Sequence, residues 1–362
     1  MPLKVRRLRS HVKTAVATAL AKAYDRGLAG TRATYSPLVV GYHRIVEDFE
    51  AEAKVEMPSM LTSLTMFEQH LDCLGQCFRF MSLDDIGNRL LNDLPFDEPV
   101  VALTFDDGYR DVYHLALPVL ERKGIPAAMF VVTDLIGRPA WQIHDKLYHL
   151  VAKAFRSWAD PRSKFADLLT ELGLPPDDFT RRAVTASPMT AVSALLPGLP
   201  QSDISRLMIG LESSVGNGFH NVPLTVTWEM IADMRRRGFT IGSHTQTHVS
   251  LPVESRERAV AEIEQSKTAL EHRLNERIDH FAYPGGHFNV PIVDAVARAG
   301  YRFAYTACGH DDPRHPLLTI QRLLLWEGSS VNGEGEFTPD ILSCQARHLW
   351  PPAWKCERAH QV

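Results

Sequence analysis

Short, almost wholly apolar strand candidates alternate with helix candidates along most of this chain, and that alternation restricts the fold more than any other feature. Residues 100–105 (VVALTF) are the clearest case: a run apolar at nearly every position suits a strand covered on both faces, as in parallel sheets flanked by helices. Residues 37–43 (PLVVGYH) and 127–132 read the same way. Thr65 with Glu68 three residues on predicts a capping box, with Phe67, Leu71 and Leu74 at helical spacing and a stop at Gly75. Ser82 is placed to cap a helix over 83–91, and a helix over 113–123 ends at Gly124.

The rhythm breaks between about 146 and 221, where helical stretches are separated by Pro175-Pro176, Pro188 and Pro197-Gly198-Leu199-Pro200. This predicts a helical insertion inside one α/β domain. The rhythm then resumes: helix 228–237, strand 239–242, helix 254–275, strand 278–283, helix 290–299 closed by Gly300, and short strands at 303–306 and 319–325. The expected organisation is a leader over 1–30, a domain over 31–330 and a tail over 331–362 that lacks periodicity.

Composition excludes several classes. With 45% hydrophobic and 23% charged residues over 362 positions, the chain is ordinary for a soluble globular protein, and no apolar run is long enough to span a bilayer as a helix. The net charge of −4 supplies no general basic field for nucleic acid. Charge is concentrated, however: residues 1–30 carry seven Lys and Arg against Asp25, leaving about −10 on the rest. Val5, Leu8, Val12, Val16 and Ala19 recur there at helical spacing, so a basic amphipathic helix on an anionic membrane surface competes with a leader packed loosely on the domain. The stretch 14–21 is too short and weakly apolar for a secretory signal. Five scattered cysteines, with Cys73 and Cys77 four apart as on one helix face, fit a reducing compartment better than a disulfide framework. The expected location is cytoplasmic, with the leader allowing contact with the inner membrane.

Chemistry gathers where strands end. Leu103-Thr104-Phe105 runs into Asp106-Asp107-Gly108, two adjacent carboxylates that point apart, so that one can hold a metal while the other acts as a base. After strand 239–242 come Ser243-His244-Thr245-Gln246-Thr247-His248; two histidines four apart share a face if the segment makes a helical turn. A two-His, one-carboxylate set leaves open positions for water and substrate. Phe281-Ala282-Tyr283-Pro284-Gly285-Gly286 ends a third strand in a turn whose glycines let the backbone approach a ligand and stabilise an oxyanion.

These three motifs, in this order, resemble those of the polysaccharide deacetylases, the NodB-homology or carbohydrate esterase family 4 enzymes, over roughly residues 36–330. The resemblance implies a distorted (β/α)7-type barrel and a divalent-metal hydrolase that removes N-acetyl groups from N-acetylhexosamine-containing oligo- or polysaccharides. By position it implies Asp107, His244 and His248 as metal ligands, with zinc foremost and cobalt, nickel or iron accepted by the same donors. It implies Asp106 as the general base and a backbone N–H near Gly285 as oxyanion donor. Many members carry an arginine where this chain has Ala282; Arg322 is the candidate replacement partner for the base. The late Leu-x-His strand of the family is also absent, since 323–327 read Leu-Leu-Leu-Trp-Glu. Tyr42-His43-Arg44 near the start instead resembles a subgroup with an early Tyr-His-Arg motif, which makes His43 the expected general acid. Tyr283, Pro284, Tyr109, Trp141 and Asp145 are candidate substrate contacts, and Asp311 or Asp312 a candidate orienting group.

Members of this subgroup often serve cell-surface glycan or exopolysaccharide pathways, which makes a lipid-linked sugar precursor an expected partner. Two other functions fit the same residues: an amidohydrolase acting on a non-sugar amide or formamide, and a non-catalytic glycan-binding relic.

Overall fold

The computed structural model describes residues 14–22, 35–174, 187–216 and 224–349. Most of the leader, Pro175-Pro176, the end of the insertion and the last thirteen residues of the tail lie outside that set.

Among the described residues the central sheet has nine parallel strands, eight of them on one path: β1 (Leu38–Tyr42), β2 (Val100–Phe105), β3 (Ala127–Val131), β4 (Thr240–Ser243), β5 (His280–Ala282), β6 (Phe303–Thr306), β7 (Ile320–Gln321) and β8 (Leu323–Leu324); the ninth, Arg79–Phe80, pairs with β2 off that path. Hydrogen-bonded neighbours run β7-β6-β5-β4-β3-β2-β1-β8. The two ends of that path, β7 and β8, are separated in sequence by Arg322 alone. One stretch of chain therefore pairs with β6 on one side and with β1 on the other, and brings the sheet nearly to a closed barrel. The single expected strand at 319–325 is thus two short pieces, because at Arg322 the chain changes partner.

Every residue of β1 to β6 is buried, as their apolar sequences require when helices cover the outside and side chains fill the inside. Close packing shows at Gly242 in β4, where a Cβ would stand 2.5 Å from the Phe130 ring. Register brings the carboxyl ends to one level: Tyr42 pairs with Phe105, Phe105 with Met129, and Val131 with Ser243. The chemistry-bearing residues follow directly: His43 after β1, Asp106 after β2, His244 after β4, Tyr283 after β5.

The helices adopt expected spans with local corrections. Helix Leu64–Gly75 is capped by Ser63, whose hydroxyl accepts from Met66 N, so Thr65 lies inside the helix rather than at its start. Cys77 falls beyond that helix, after its cap Gln76. Ser82 caps Leu83–Leu91 as expected, and Gly124 ends Leu117–Lys123 in the left-handed region. Among the described residues the insertion includes Ile143–Ser157, Pro161–Glu171, Pro188–Gly198 and Gln201–Val215, with Leu147, Leu150, Val151, Leu195, Leu207 and Leu211 in a core of their own.

The described part of the tail is not bare. Helix Pro339–Ala346 buries Ile341, Leu342 and Cys344 and packs against Leu64–Gly75. Its short length hides any periodicity. Residues 14–22 are helical and place Ala17 and Ala21 against Ile341 and Cys344, with Thr18 Oγ1 donating to Asp340. No helix among the described residues is long and apolar enough to cross a membrane.

Candidate active site

Asp106 and Asp107 follow the end of β2, Asp107 already in a turn, and meet different partners. Asp106 is buried and forms a two-pronged pair with Arg322: Nη1 to Oδ1 and Nη2 to Oδ2, both 2.7 Å. Arg322 Nη1 also donates to Thr104 Oγ1 at 3.1 Å. Burial alone would raise the Asp106 pKa, but the Arg322 guanidinium outweighs it and holds the carboxyl below the usual range. The guanidinium that Ala282 cannot provide therefore arrives from the strand seam.

Asp107 is the centre of an imidazole cage. His248 Nε2 stands 3.2 Å and His244 Nε2 3.5 Å from Oδ1, while His144 Nε2 stands 3.6 Å from Oδ2. Neither carboxylate oxygen has a hydrogen-bond partner, although both are fully buried. A buried, unsatisfied carboxylate costs several kcal/mol unless something else neutralises it. One oxygen ligand and converging imidazole nitrogens suit a divalent cation of the zinc, cobalt or nickel kind, so Asp107, His244 and His248 fit the group that the motifs imply. His144 was missed from sequence: it lies 37 residues beyond Asp107, at the start of the insertion's first helix.

The convergence of His244 and His248 comes from a loop, which corrects the expected helical turn. Thr245 and His248 sit at φ of 67° and 60°, and Asp107 at 68°, a left-handed conformation that is costly for side chains other than glycine. Surrounding bonds hold it. Thr245 Oγ1 accepts from His248 N at 2.9 Å. The carboxylate of Glu262, from helix Arg256–Leu274, accepts from Gln246 N, Thr247 N and the Thr247 hydroxyl at 2.9, 2.7 and 2.7 Å. His244 Nδ1 donates to Ala282 O at 2.8 Å, which turns Nε2 toward Asp107. Gln142 Nε2 fixes the Asp107 carbonyl at 2.8 Å.

Charge follows burial. Burial pushes His144 down to about 3 and His244 down to about 4, so both rings are neutral and able to ligate. Burial would also lower His248, but the Asp107 carboxylate prevails and raises it. Burial drives Asp145 up to about 7.

The remaining candidates divide. His43 is part-exposed, with Nε2 4.0 Å from Asp106 Oδ2, so the early motif does reach the site. Tyr42 turns into the core and Arg44 Nε binds Asp111 at 2.8 Å. Gly285, at φ of 62°, is exposed on the rim beside buried Pro284. Tyr109 and Tyr283 turn inward. Both are fully buried. Tyr283 donates to Leu318 O at 2.9 Å, and the Tyr109 hydroxyl lies 2.8 Å from His144 Nε2 and 2.7 Å from Asp145 Oδ2. Trp141 packs edge-on against His149. Asp312 pairs with Arg314 in its own loop, away from the aspartates.

The polysaccharide deacetylase family profile matches residues 93–169 and 186–304, more than half of the chain and both aspartates and both motif histidines. The chain belongs to the polysaccharide deacetylase family. YxkH of Bacillus subtilis (strain 168), a curated protein carried under the polysaccharide deacetylase name, is 21% identical over 241 residues, 66% of this chain and 56% of that protein. The chain thus spans little more than half the length of that relative. Among solved structures, the Streptococcus pyogenes deacetylase PplD, in complex with acetate, superposes with a TM-score of 0.51 at 20% identity, over 84% of this chain and 97% of the other. IcaB from Ammonifex degensii gives 0.51 at 18% identity, over 86% and 95%. At these identities the likeness is one of fold, a barrel of the deacetylase kind.

Proposed function

We propose that this family member is a metal-dependent deacetylase that hydrolyses the N-acetyl group of an N-acetylhexosamine-containing oligo- or polysaccharide, or a precursor of one, in cell-surface glycan or exopolysaccharide synthesis. The observation that carries the reading is the pairing at the end of β2: an orphaned Asp107 caged by imidazoles, beside an Asp106 clamped by arginine. When bound, a divalent cation supplies Lewis acidity toward the acetyl carbonyl. The chain does the rest. Asp106 takes a proton from the attacking water, and Arg322 keeps its carboxylate ionised and aimed. His43, on the more open side of Asp106, gives a proton to the departing amine nitrogen as the C–N bond breaks, so that acetate and a free amine leave. A backbone N–H near Gly285 is the proposed donor to the oxyanion. The acetate in the PplD complex is the acid such a reaction releases.

A cytoplasmic enzyme meeting a lipid-linked sugar at the inner membrane belongs to the same proposal and rests on the basic leader alone. In its described portion, Ala17 and Ala21 are already covered by helix Pro339–Ala346.

The test is acetate release from N-acetylglucosamine oligomers by protein supplied with zinc or cobalt. Asp106→Asn is expected to lose about 10²–10⁴-fold, the usual worth of a general base. Release only from formyl or cyclic amides would move the reading to the amidohydrolase class, and an inert protein without metal affinity would leave a relic.

A further inference from the structure

We infer that His144 is a fourth protein donor to the cation, supplied by the helical insertion and additional to the Asp-His-His set implied by the motifs. The inference rests on the metal-binding reading above and concerns who holds the ion.

Four observations support it. His144 is buried and faces Asp107 from the side that His244 and His248 leave open: its Nε2 approaches Oδ2, whereas theirs approach Oδ1. Ligand atoms of Asp107, His144 and His248 lie within 4.8 Å of one another. Metal–nitrogen bonds of about 2.0–2.1 Å put tetrahedral neighbours about 3.3 Å apart. The His144 and His248 rings already stand 4.8 Å apart between centroids. Finally, the Tyr109 hydroxyl near His144 Nε2 has Asp145 as a second partner at 2.7 Å. Giving the His144 lone pair to an ion therefore leaves no buried hydroxyl stranded.

The position has consequences. His144 lies in the first turn of helix Ile143–Ser157, which packs against Pro161–Glu171, Pro188–Gly198 and Gln201–Val215. An ion held by His144 ties that separate core to the barrel.

The competing role for His144 is structural, as the partner of Tyr109. Cobalt titration separates the two, following affinity by chelator competition and the ligand set by the visible spectrum, in wild type, His144→Gln and Tyr109→Phe. A glutamine amide can still bond Tyr109 but is a poor ligand, and far-ultraviolet melting of each apo-protein verifies the fold. The expected result is cobalt affinity at least about tenfold weaker in His144→Gln with an altered spectrum, against a near-wild-type spectrum in Tyr109→Phe. Wild-type affinity and spectrum in His144→Gln overturn the inference, as do equal losses in both variants. A wild-type protein that binds no cobalt, zinc or nickel overturns the metal reading itself, and this inference with it.

Discussion

Arg322 carries two burdens in one side chain. It sits between the two pieces of strand that close the barrel, and its guanidinium meets both oxygens of Asp106. Lysine brings the charge but not the planar fork, so Arg322→Lys frees the carboxylate to rotate. A misplacement of about 1 Å costs on the order of 10²-fold in rate, and that is the loss expected in kcat/KM with KM little changed. Arg322→Met goes further and leaves a buried, unpaired carboxylate, for which the cost is roughly 3–5 kcal/mol at neutral pH. The sign with pH follows from the depressed Asp106 pKa. Its pairing stabilises the folded protein fully above the ordinary carboxylate range near 4, and that contribution is lost as pH falls through the lower folded value. The stability gap between wild type and Arg322→Met, read from urea unfolding, is therefore widest at pH 7–8 and narrows as the solution is acidified. A gap independent of pH would show that the seam, not the ion pair, sets the cost.

At the scale of elements, the histidines after β4 depend on helix Arg256–Leu274, which supplies no histidine to the site. Glu262 projects from Arg256–Leu274 beneath the loop after β4 and accepts two backbone N–H groups and a hydroxyl, with Arg258 at 2.6 Å as counter-charge. Glu262→Gln replaces an acceptor-only carboxylate with an amide that must present N–H to one of those donors. Bonds to a charged acceptor are worth about 1.5–3 kcal/mol, so the loop should loosen and the protein melt earlier. Metal affinity should fall about 10–100-fold, the usual effect of losing an outer support, and competition titration measures it. Arg258→Ala should do less, because that side chain is half exposed. This element also shows what could be read in advance. The aspartates and the motif histidines were legible because each follows an apolar strand directly, and strand ends are local features. Glu262 and His144 were not, because nothing in a charged helix or a proline-punctuated insertion says which residue will face a loop on another stave. The helical turn expected for His244–His248 failed for a related reason: spacing of four is equally served by left-handed residues, once buried bonds meet their cost. Arg322 lay between these cases, visible as a candidate because a guanidinium was missing at Ala282, and decided only by barrel closure.

Across the whole molecule, the tail helix and the first strand meet over a buried histidine. The ring of His70, on helix Leu64–Gly75, lies 5.5 Å from that of Phe337, just before the tail helix, and its Nδ1 lies 3.2 Å from the Tyr42 hydroxyl at the end of β1. Nothing in the sequence marked 331–349 as part of this packing; the eight-residue helix is too short to display a period, and its apolar side is defined only by what it covers. Burial holds the His70 pKa down to about 4, against about 6.5 in an unfolded chain. The folded value is depressed, so His70 contributes stability that is complete above pH 6.5 and is lost as pH falls toward 4, where the unfolded imidazole takes up a proton that the folded one refuses. One such group gives a slope of at most about 1.4 kcal/mol per pH unit across that window. His70→Gln keeps a polar partner for Tyr42 and removes the titration. It should lower stability at pH 7.5 yet flatten the decline between pH 6.5 and 4.5, measured as urea midpoints at several pH values. An unchanged slope would mean that His70 is protonated in the folded protein. The packing of the C-terminal segment over β1 would then admit water, and the closed seam at Arg322 would have to hold the barrel without that cover.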